Sequence, residues 1–477
     1  MRHYPANLIS KIRQSTAAAW PVHVGARKRL AQSNAPLALP AEEGLAHQRP
    51  RAASRLAAAR KRQTNSPLAG PCALALLLAL APTKPPRAQE IPLGFSWGPG
   101  ETVAHDNNLT RVNSQSGYPT VSDTSYTTSL TATLHETYSR QDVMASATVG
   151  RVLYQTYSEF DATQENLRAA LQSDLPLSAS SRVTLVRTAV MAQFADIGGA
   201  TPDVITRNEI NGSVDFPLES NWRAVLGGDD SKTQNSASMY QTQNLNTTEL
   251  NGGIRFQPVT GNHIDVLLRT LHAEYPNGSP SALVSSGYNE RGADLRVDWT
   301  LTGPSHLLGR AGYLEHRNDE VPYYNVAVFP PEPEVLNRDF SGPGYDLTYI
   351  WQITGASRLT LYGLRQTGAA GDNNYLSAVT KTFRIAPAYQ PRQMIGCEAY
   401  FEWTQRNYFE NVYDVVTNTA PGTNRLDNSH NAGLSILWNP RRWLSVRLDV
   451  RHELRDSSIS TYTYSDTNAA LSLQTRF

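Results

Sequence analysis

The stretch Ser445-Val-Arg-Leu-Asp-Val-Arg-His-Glu-Leu454 sorts its side chains by parity. Leu444, Val446, Leu448, Val450 and Leu454 fall on one face of an extended chain. Ser445, Arg447, Asp449, Arg451 and Glu453 fall on the other. One such strand fits a half-buried soluble sheet as well as a membrane wall. Recurrence, segment length and the address of the chain decide between them.

The pattern recurs. About eighteen segments alternate or are rich in Thr, Tyr, Val and Leu, from 93–112 to 463–477. Ile210, Gly212, Val214 and Phe216 oppose Glu209, Asn211, Ser213 and Asp215. Ala293, Leu295, Val297, Trp299 and Leu301 oppose Asp294, Arg296, Asp298 and Thr300. Cys397, Ala399, Phe401 and Trp403 oppose Glu398, Tyr400 and Glu402. In 182–191 and 307–316 neither parity is purely apolar. The segments 93–112 and 374–389 are weak, which leaves sixteen strands as the alternative count. Helical periodicity is nearly absent.

Connections alternate in length. Phe216-Pro-Leu-Glu-Ser-Asn221, Leu301-Thr-Gly-Pro-Ser305 and Trp438-Asn-Pro-Arg-Arg442 are tight and carry Pro or Gly, as hairpin turns do. The intervening stretches 113–122, 235–241, 277–284, 321–336, 410–423 and 456–462 are longer and polar. Short turns on one rim and long loops on the other describe an outer-membrane barrel. Trp222, Trp299, Trp351, Trp403, Trp438 and Trp443 lie near tight turns or strand ends, where a membrane interface collects half-dry rings.

Charge divides the chain of 477 residues, although its formal net charge is only +1. Residues 1–88 hold 14 of the 43 Lys and Arg but only Glu42 and Glu43 of the 42 acids, leaving 29 bases against 40 acids beyond them. Lys61-Arg62 precede the apolar run Cys72-Ala-Leu-Ala-Leu-Leu-Leu-Ala-Leu-Ala81, the layout of a signal peptide and too short for a membrane helix. The expected organisation is a basic, disordered extension over 1–60 that reflects a start codon assigned too far upstream, a signal peptide over 61–88 cut after Ala88, and a barrel over 89–477. No apolar run beyond residue 88 is long enough for a membrane helix. Cys397 then stands alone, so no internal disulfide is expected.

Alternating segments in lipid must close, because an open sheet leaves one edge of N–H and C=O groups unpaired. The fold expected is an all-β, antiparallel transmembrane barrel of about eighteen strands with both chain ends on the short-turn rim. Its charged parity would line the lumen. The named lumen candidates are Arg168, Arg223, Arg255, Asp265, Arg269, Asp294, Arg296, Asp298, Glu398, Arg447, Asp449, Arg451 and Glu453. Transverse ion pairs are the plainer role for them. An Arg-lined path for an anionic or hydroxyl-rich polymer is the sharper one, since guanidinium forks match carboxylates and sugar hydroxyls. Loop 321–336, stiffened by Pro322, Pro330, Pro331 and Pro333, is the candidate plug. Leu471, Leu473 and the terminal Phe477 share a parity and form a candidate recognition strand for the barrel-insertion machinery.

Chemistry-bearing motifs are missing. There is no Gly-rich phosphate loop, nucleophile elbow, zinc helix motif or calcium loop, and the histidines have no second ligand at metal spacing. No cofactor, metal, nucleic acid or enzymatic activity is expected.

The stretch Phe95-Ser-Trp-Gly-Pro-Gly-Glu-Thr-Val-Ala-His-Asp-Asn-Asn-Leu-Thr-Arg111 resembles the opening of the EpsL-type outer-membrane proteins, a β-barrel porin family of exosortase-associated exopolysaccharide loci. Asp106, Asn108, Leu109 and Arg111 match that family's Asp-x-Asn-apolar-x-Arg turn, whereas Thr110 stands where an aromatic is common. The resemblance implies a part in the synthesis or export of extracellular polysaccharide, with polymer and periplasmic export components as partners beside outer-membrane lipid. It assigns no functional residue. A general diffusion porin for small hydrophilic solutes is the alternative, and a non-transporting surface scaffold or barrel enzyme the third.

Overall fold

The computed structural model describes residues 94–113, 120–192, 201–259, 261–278, 286–325, 332–336, 339–369, 375–411 and 424–477. The expected N-terminal extension and signal peptide lie outside them. So do most of the expected loops 277–284 and 410–423, and the Pro330-Pro331 part of the candidate plug.

The strands are β1 (Gly94–Asp106), β2 (Asp123–Tyr138), β3 (Gln141–Tyr154), β4 (Ala162–Asp174), β5 (Ser180–Met191), β6 (Val204–Glu219) and β7 (Trp222–Asn235). Next come β8 (Leu245–Val259), β9 (Asn262–Glu274), β10 (Gly287–Thr302), β11 (Ser305–Asn318), β12 (Val321–Asn325), β13 (Glu332–Leu336) and β14 (Phe340–Gln352). The remainder are β15 (Ser357–Ala369), β16 (Tyr375–Arg392), β17 (Ile395–Asn411), β18 (Leu426–Arg441), β19 (Leu444–Ser457) and β20 (Tyr464–Thr475). Strands β12 and β13 make a separate hairpin, and the other eighteen form one sheet. Each of the eighteen pairs antiparallel with its neighbours in sequence, β11 passing over the hairpin to β14. β1 pairs with β2 on one side and with β20 on the other, so the sheet closes.

The closing seam uses the last residue. The Phe477 N–H donates to the Trp97 carbonyl at 2.7 Å and the Trp97 N–H donates to the Phe477 carbonyl at 3.1 Å. On the inward parity of β1, Ser96, Gly98, Gly100 and Ala104 are small, and the seam there is tight. A Cβ on Gly98 would run into the Thr475 carbonyl, and one on Gly100 would meet Gln474 and Ser129. That need for glycine is why the first segment reads weakly as a strand. Both weak segments, 93–112 and 374–389, carry strands (β1 and β16), so the count is eighteen rather than sixteen.

One parity of the sheet is apolar and open: Leu268 is 68 % exposed, Leu250 60 % and Leu226 55 %. The other parity is polar, and some of its residues are enclosed, with Asp265 at 3 % and Asp294 at 4 %. Arg255 on β8 reaches Asp215 on β6 past β7, at 3.7 Å, as side chains converging on a concave face do. Apolar residues therefore face out and polar ones in. Soluble monomers rarely expose apolar surface this continuous, and a wall of this kind suits acyl chains. In 182–191 the outward set is Val183, Leu185, Arg187 and Ala189, and in 307–316 it is Leu307, Gly309, Ala311, Tyr313 and Glu315.

Tight turns join β2–β3, β4–β5, β6–β7, β8–β9, β10–β11, β14–β15, β16–β17 and β18–β19 at the rim that also holds both barrel ends. Gly261 in the β8–β9 turn has φ +99°, a conformation glycine adopts without strain. Aromatics gather at this rim: Trp97 and Phe477 have ring centroids 5.6 Å apart, Trp443 stacks on Phe477 at 6.5 Å, and Trp222 lies 5.0 Å from Phe256. Trp403 departs from the expectation. It sits eight positions beyond the start of β17, beside Phe383 on β16 and far from the tight turn. At the long-loop rim, Phe160, Ala192 and Tyr240 form a small apolar cluster. Burial there pushes the Tyr240 phenol up to about 12.

The stretch 321–336, the candidate plug stiffened by prolines, contains the β12–β13 hairpin. Pro322 and Pro333 lie within its strands and hid them. A two-stranded ladder tolerates proline because each strand has a free edge.

Leu268→Arg, placed mid-strand on the outward face, is expected to cost about 2–4 kcal/mol. Urea unfolding of the refolded barrel in lipid vesicles measures it; a loss no larger than that of Leu268→Ala would contradict the lipid-facing assignment.

Candidate functional site: a charged lumen and its rim turn

The residues named from the sequence as lumen-lining all stand on the inward parity, and the register sorts most of them into two walls. The first wall runs over β6–β11. Arg223 pairs with Asp215, and Arg255 forks onto Asp265 with Nε–Oδ1 at 2.7 Å and Nη2–Oδ2 at 2.8 Å. Arg269, with only 8 % of its side chain exposed, is the centre of a second group. It lies 3.3 Å from Glu249, 3.5 Å from Glu290 and 3.5 Å from Asp294. Asp294 also faces Arg296 at 3.8 Å and Arg310 at 3.6 Å. Asp298 faces His306 at 3.3 Å.

The second wall runs over β15–β20. Arg358 meets Glu398 at 3.3 Å, and Arg384 meets Glu402 at 3.9 Å while lying 4.1 Å over the Tyr400 ring. Arg447 pairs with Asp449 at 2.9 Å, and Arg451 lies 3.7 Å from both Glu453 and Asp466. Arg168 on β4 stands apart from both walls. The candidates named from the sequence leave out Asp215, which the alternation places on the polar face, and also Glu249, Glu290, Arg310, Arg358, Arg384 and Asp466. Their parity within each alternating segment was the available signal.

Pairing follows from position. A charge lining a narrow, partly desolvated wall costs too much alone, and a neighbour on the next strand offsets that cost. Guanidinium groups satisfy several acceptors at once, which single ammonium groups cannot do in a planar fork.

Asp106, Asn108 and Arg111 form a compact turn where β1 ends. The Asp106 carboxylate accepts from the Asn108 N–H at 2.9 Å, and Arg111 Nη1 donates to both of its oxygens at 3.0 Å. The Asn108 amide donates to the Val112 and Ser465 carbonyls, both at 2.9 Å. Arg111 adopts φ +54° and reaches Asp466 on β20 at 2.9 Å. Burial opposes its charge, but Asp106 and Asp466 outweigh burial and hold the guanidinium above its ordinary pKa. Thr110, at the motif's aromatic position, is 3 % exposed. The turn thus binds the first strand to the last.

A comparable knot closes the rim at β17–β20. Arg425 is 1 % exposed, donates to both oxygens of Asp427 at 2.9 and 2.6 Å, and lies 3.5 Å over Tyr462. Arg455 donates to the same carboxylate. Among the described residues no three His, Cys, Asp or Glu side chains gather as a metal set.

Arg111→Gln is expected to cost about 3–5 kcal/mol, because it leaves Asp466 buried beside Asp106 without the nearer of its cations. Thermal unfolding in detergent reads the loss. A change below about 1 kcal/mol would mean the turn does not hold the seam.

No protein-family model matches the chain, and no curated protein matches it. Among solved structures it is similar to OpdK of Pseudomonas aeruginosa with vanillate, at 10% identity and a TM-score of 0.43, covering 80% of this chain and 99% of that one. OccK2 (OpdF) of the same organism, in complex with glucuronate, gives 10% identity and a TM-score of 0.42, covering 80% and 98%. OccAB4 of Acinetobacter baumannii gives 10% identity and 0.43, covering 81% and 99%.

Proposed function

We propose that the chain is an outer-membrane porin that passes small hydrophilic solutes through its charged lumen. The supporting observation is a closed sheet of eighteen strands whose inward face carries two walls of paired Arg and carboxylate residues. Barrels of sixteen to eighteen strands enclose an aqueous channel rather than a packed core. Its apolar exterior and aromatic short-turn rim suit an outer membrane, and Leu471, Leu473 and Phe477, outward on the closing strand, suit recognition by the insertion machinery. Nothing in this reading requires a catalytic group.

Export of extracellular polysaccharide is the finer reading, and it rests on the likeness to EpsL-type proteins. The motif that carries the likeness builds the seam between β1 and β20, so it speaks to barrel closure and leaves the cargo open. Small-solute diffusion therefore stands ahead of it.

Planar-bilayer recording separates the two. The porin reading expects steady, ohmic conductance from the wild-type barrel. Arg269→Gln, which strips Glu249, Glu290 and Asp294 of their central cation, should raise the cation-to-anion permeability ratio about two- to fivefold, judged from the reversal potential in a salt gradient. Inserted barrels that pass no current would sink the porin reading. Polymer trapped in the periplasm of a deletion strain would then favour export.

A further inference from the structure

Beyond residue 88 the chain has two lysines, Lys232 and Lys381, and both stand on the outward parity. The inward walls use Arg. Lys381 on β16 lies directly opposite Arg365 on β15, and Tyr345 and Gln405 continue the same outward row. Like charges directly opposite on adjacent strands repel, and such pairs weaken a sheet unless an anion lies between them. Among the described residues no carboxylate pairs with Arg365 or Lys381. Arg365 donates to the Pro343 carbonyl, and Gln405 is bonded to Asn428.

Depth identifies the surroundings. Tyr389, exposed on the outward face, lies three residues inside the short-turn end of β16 and eight residues beyond Lys381. Eight residues span about 27 Å of strand, or about 21 Å along the membrane normal at a ~40° tilt. The apolar band of such barrels is about 25 Å tall, so with Tyr389 at the near interface the two cations lie a few ångströms below the far one, within reach of their long stems. One row beneath them, Phe383 and Trp403 are cross-strand neighbours. By the same measure Trp403 lies about 16 Å from the Tyr389 level, inside the apolar band and beneath the cations.

We propose that Arg365 and Lys381 clasp the phosphate of an anionic lipid headgroup in the leaflet at the long-loop rim, with Phe383 and Trp403 against its upper acyl chain. The guanidinium presents a planar fork and the ammonium a compact charge, so two phosphate oxygens are met from two strands. The clasp rests on the membrane reading above.

The test uses the refolded barrel in nanodiscs of phosphatidylcholine alone and of phosphatidylcholine doped with diphosphorylated lipid A. Native mass spectrometry counts retained lipid, and thermal unfolding reports stability. The wild type should retain lipid A and melt higher in doped discs. R365Q/K381Q should retain roughly tenfold less and lose that gain. In undoped discs R365Q should be neutral or slightly stabilising, because repulsion is relieved. Arg187→Gln, an outward cation already paired with Glu165 at 2.8 Å, should change retention much less. Equal retention by wild type and R365Q/K381Q overturns the clasp, as does an equal loss in Arg187→Gln. Destabilisation by R365Q in both disc types also overturns it, since that marks a purely structural role. Failure of the wild type to enter either disc overturns the membrane reading and the clasp with it.

Discussion

Every backbone N–H and C=O in a lipid-exposed wall must find a partner within the protein, and the ladder between β1 and β20 is where that demand is met last. All other pairings join strands that are neighbours in sequence and cost little loop entropy. The seam joins residues nearly the whole described chain apart. Its cost is offset by reinforcement at both ends. Phe477 and Trp97 exchange backbone hydrogen bonds at the tight-turn rim, and Arg111 and Asn108 tie β1 to Asp466 and Ser465 at the other. Glycines at 98 and 100 let the two edges approach.

Closure fixes everything that depends on parity. Once the sheet is a cylinder, each side chain has one of two solvents, and the apolar stretches of most strands fall on the outward one. Arg dominates the inward face because a planar fork can serve acids on two flanking strands, as Arg269 does. Among the described residues both lysines stand outside, where a long stem can lie along apolar surface and the ammonium reach the interface.

Strand existence was legible because alternation, turn residues and loop rhythm point the same way in most segments. Legibility fell where backbone needs overrode side-chain pattern. Gly98, Pro99 and Gly100 interrupt β1 for the sake of the seam, and Pro322 and Pro333 disguise a hairpin as irregular loop. The inward charges could be named from single segments, but which of them pair could not, because a pair such as Arg255–Asp215 depends on the stagger of three strands. Arg365 and Lys381 escaped for the same reason. Each is unremarkable in its own strand, and only the register sets them face to face. Trp403 departs from the rim pattern because β17 is long and places it mid-strand, away from the tight turn.

The lumen walls are close to neutral where they are most charged. Around Asp294 the acids Glu249, Glu290 and Asp294 are matched by Arg269, Arg296 and Arg310. Opposite charges a few ångströms apart cancel at a distance but leave a strong field close to the wall, where solvent screening is weakest. On the proposed reading, such a lumen imposes little penalty on the net charge of a solute at its centre. It acts instead on solutes that touch the wall, through the orientation of their dipoles and hydrogen bonds. An unpaired row of arginines would do the reverse, holding anions so tightly that release would limit passage. Pairing most inward arginines with an acid on the same or the next strand keeps the barrel stable and the path weakly binding, so the same contacts serve the fold and the flow.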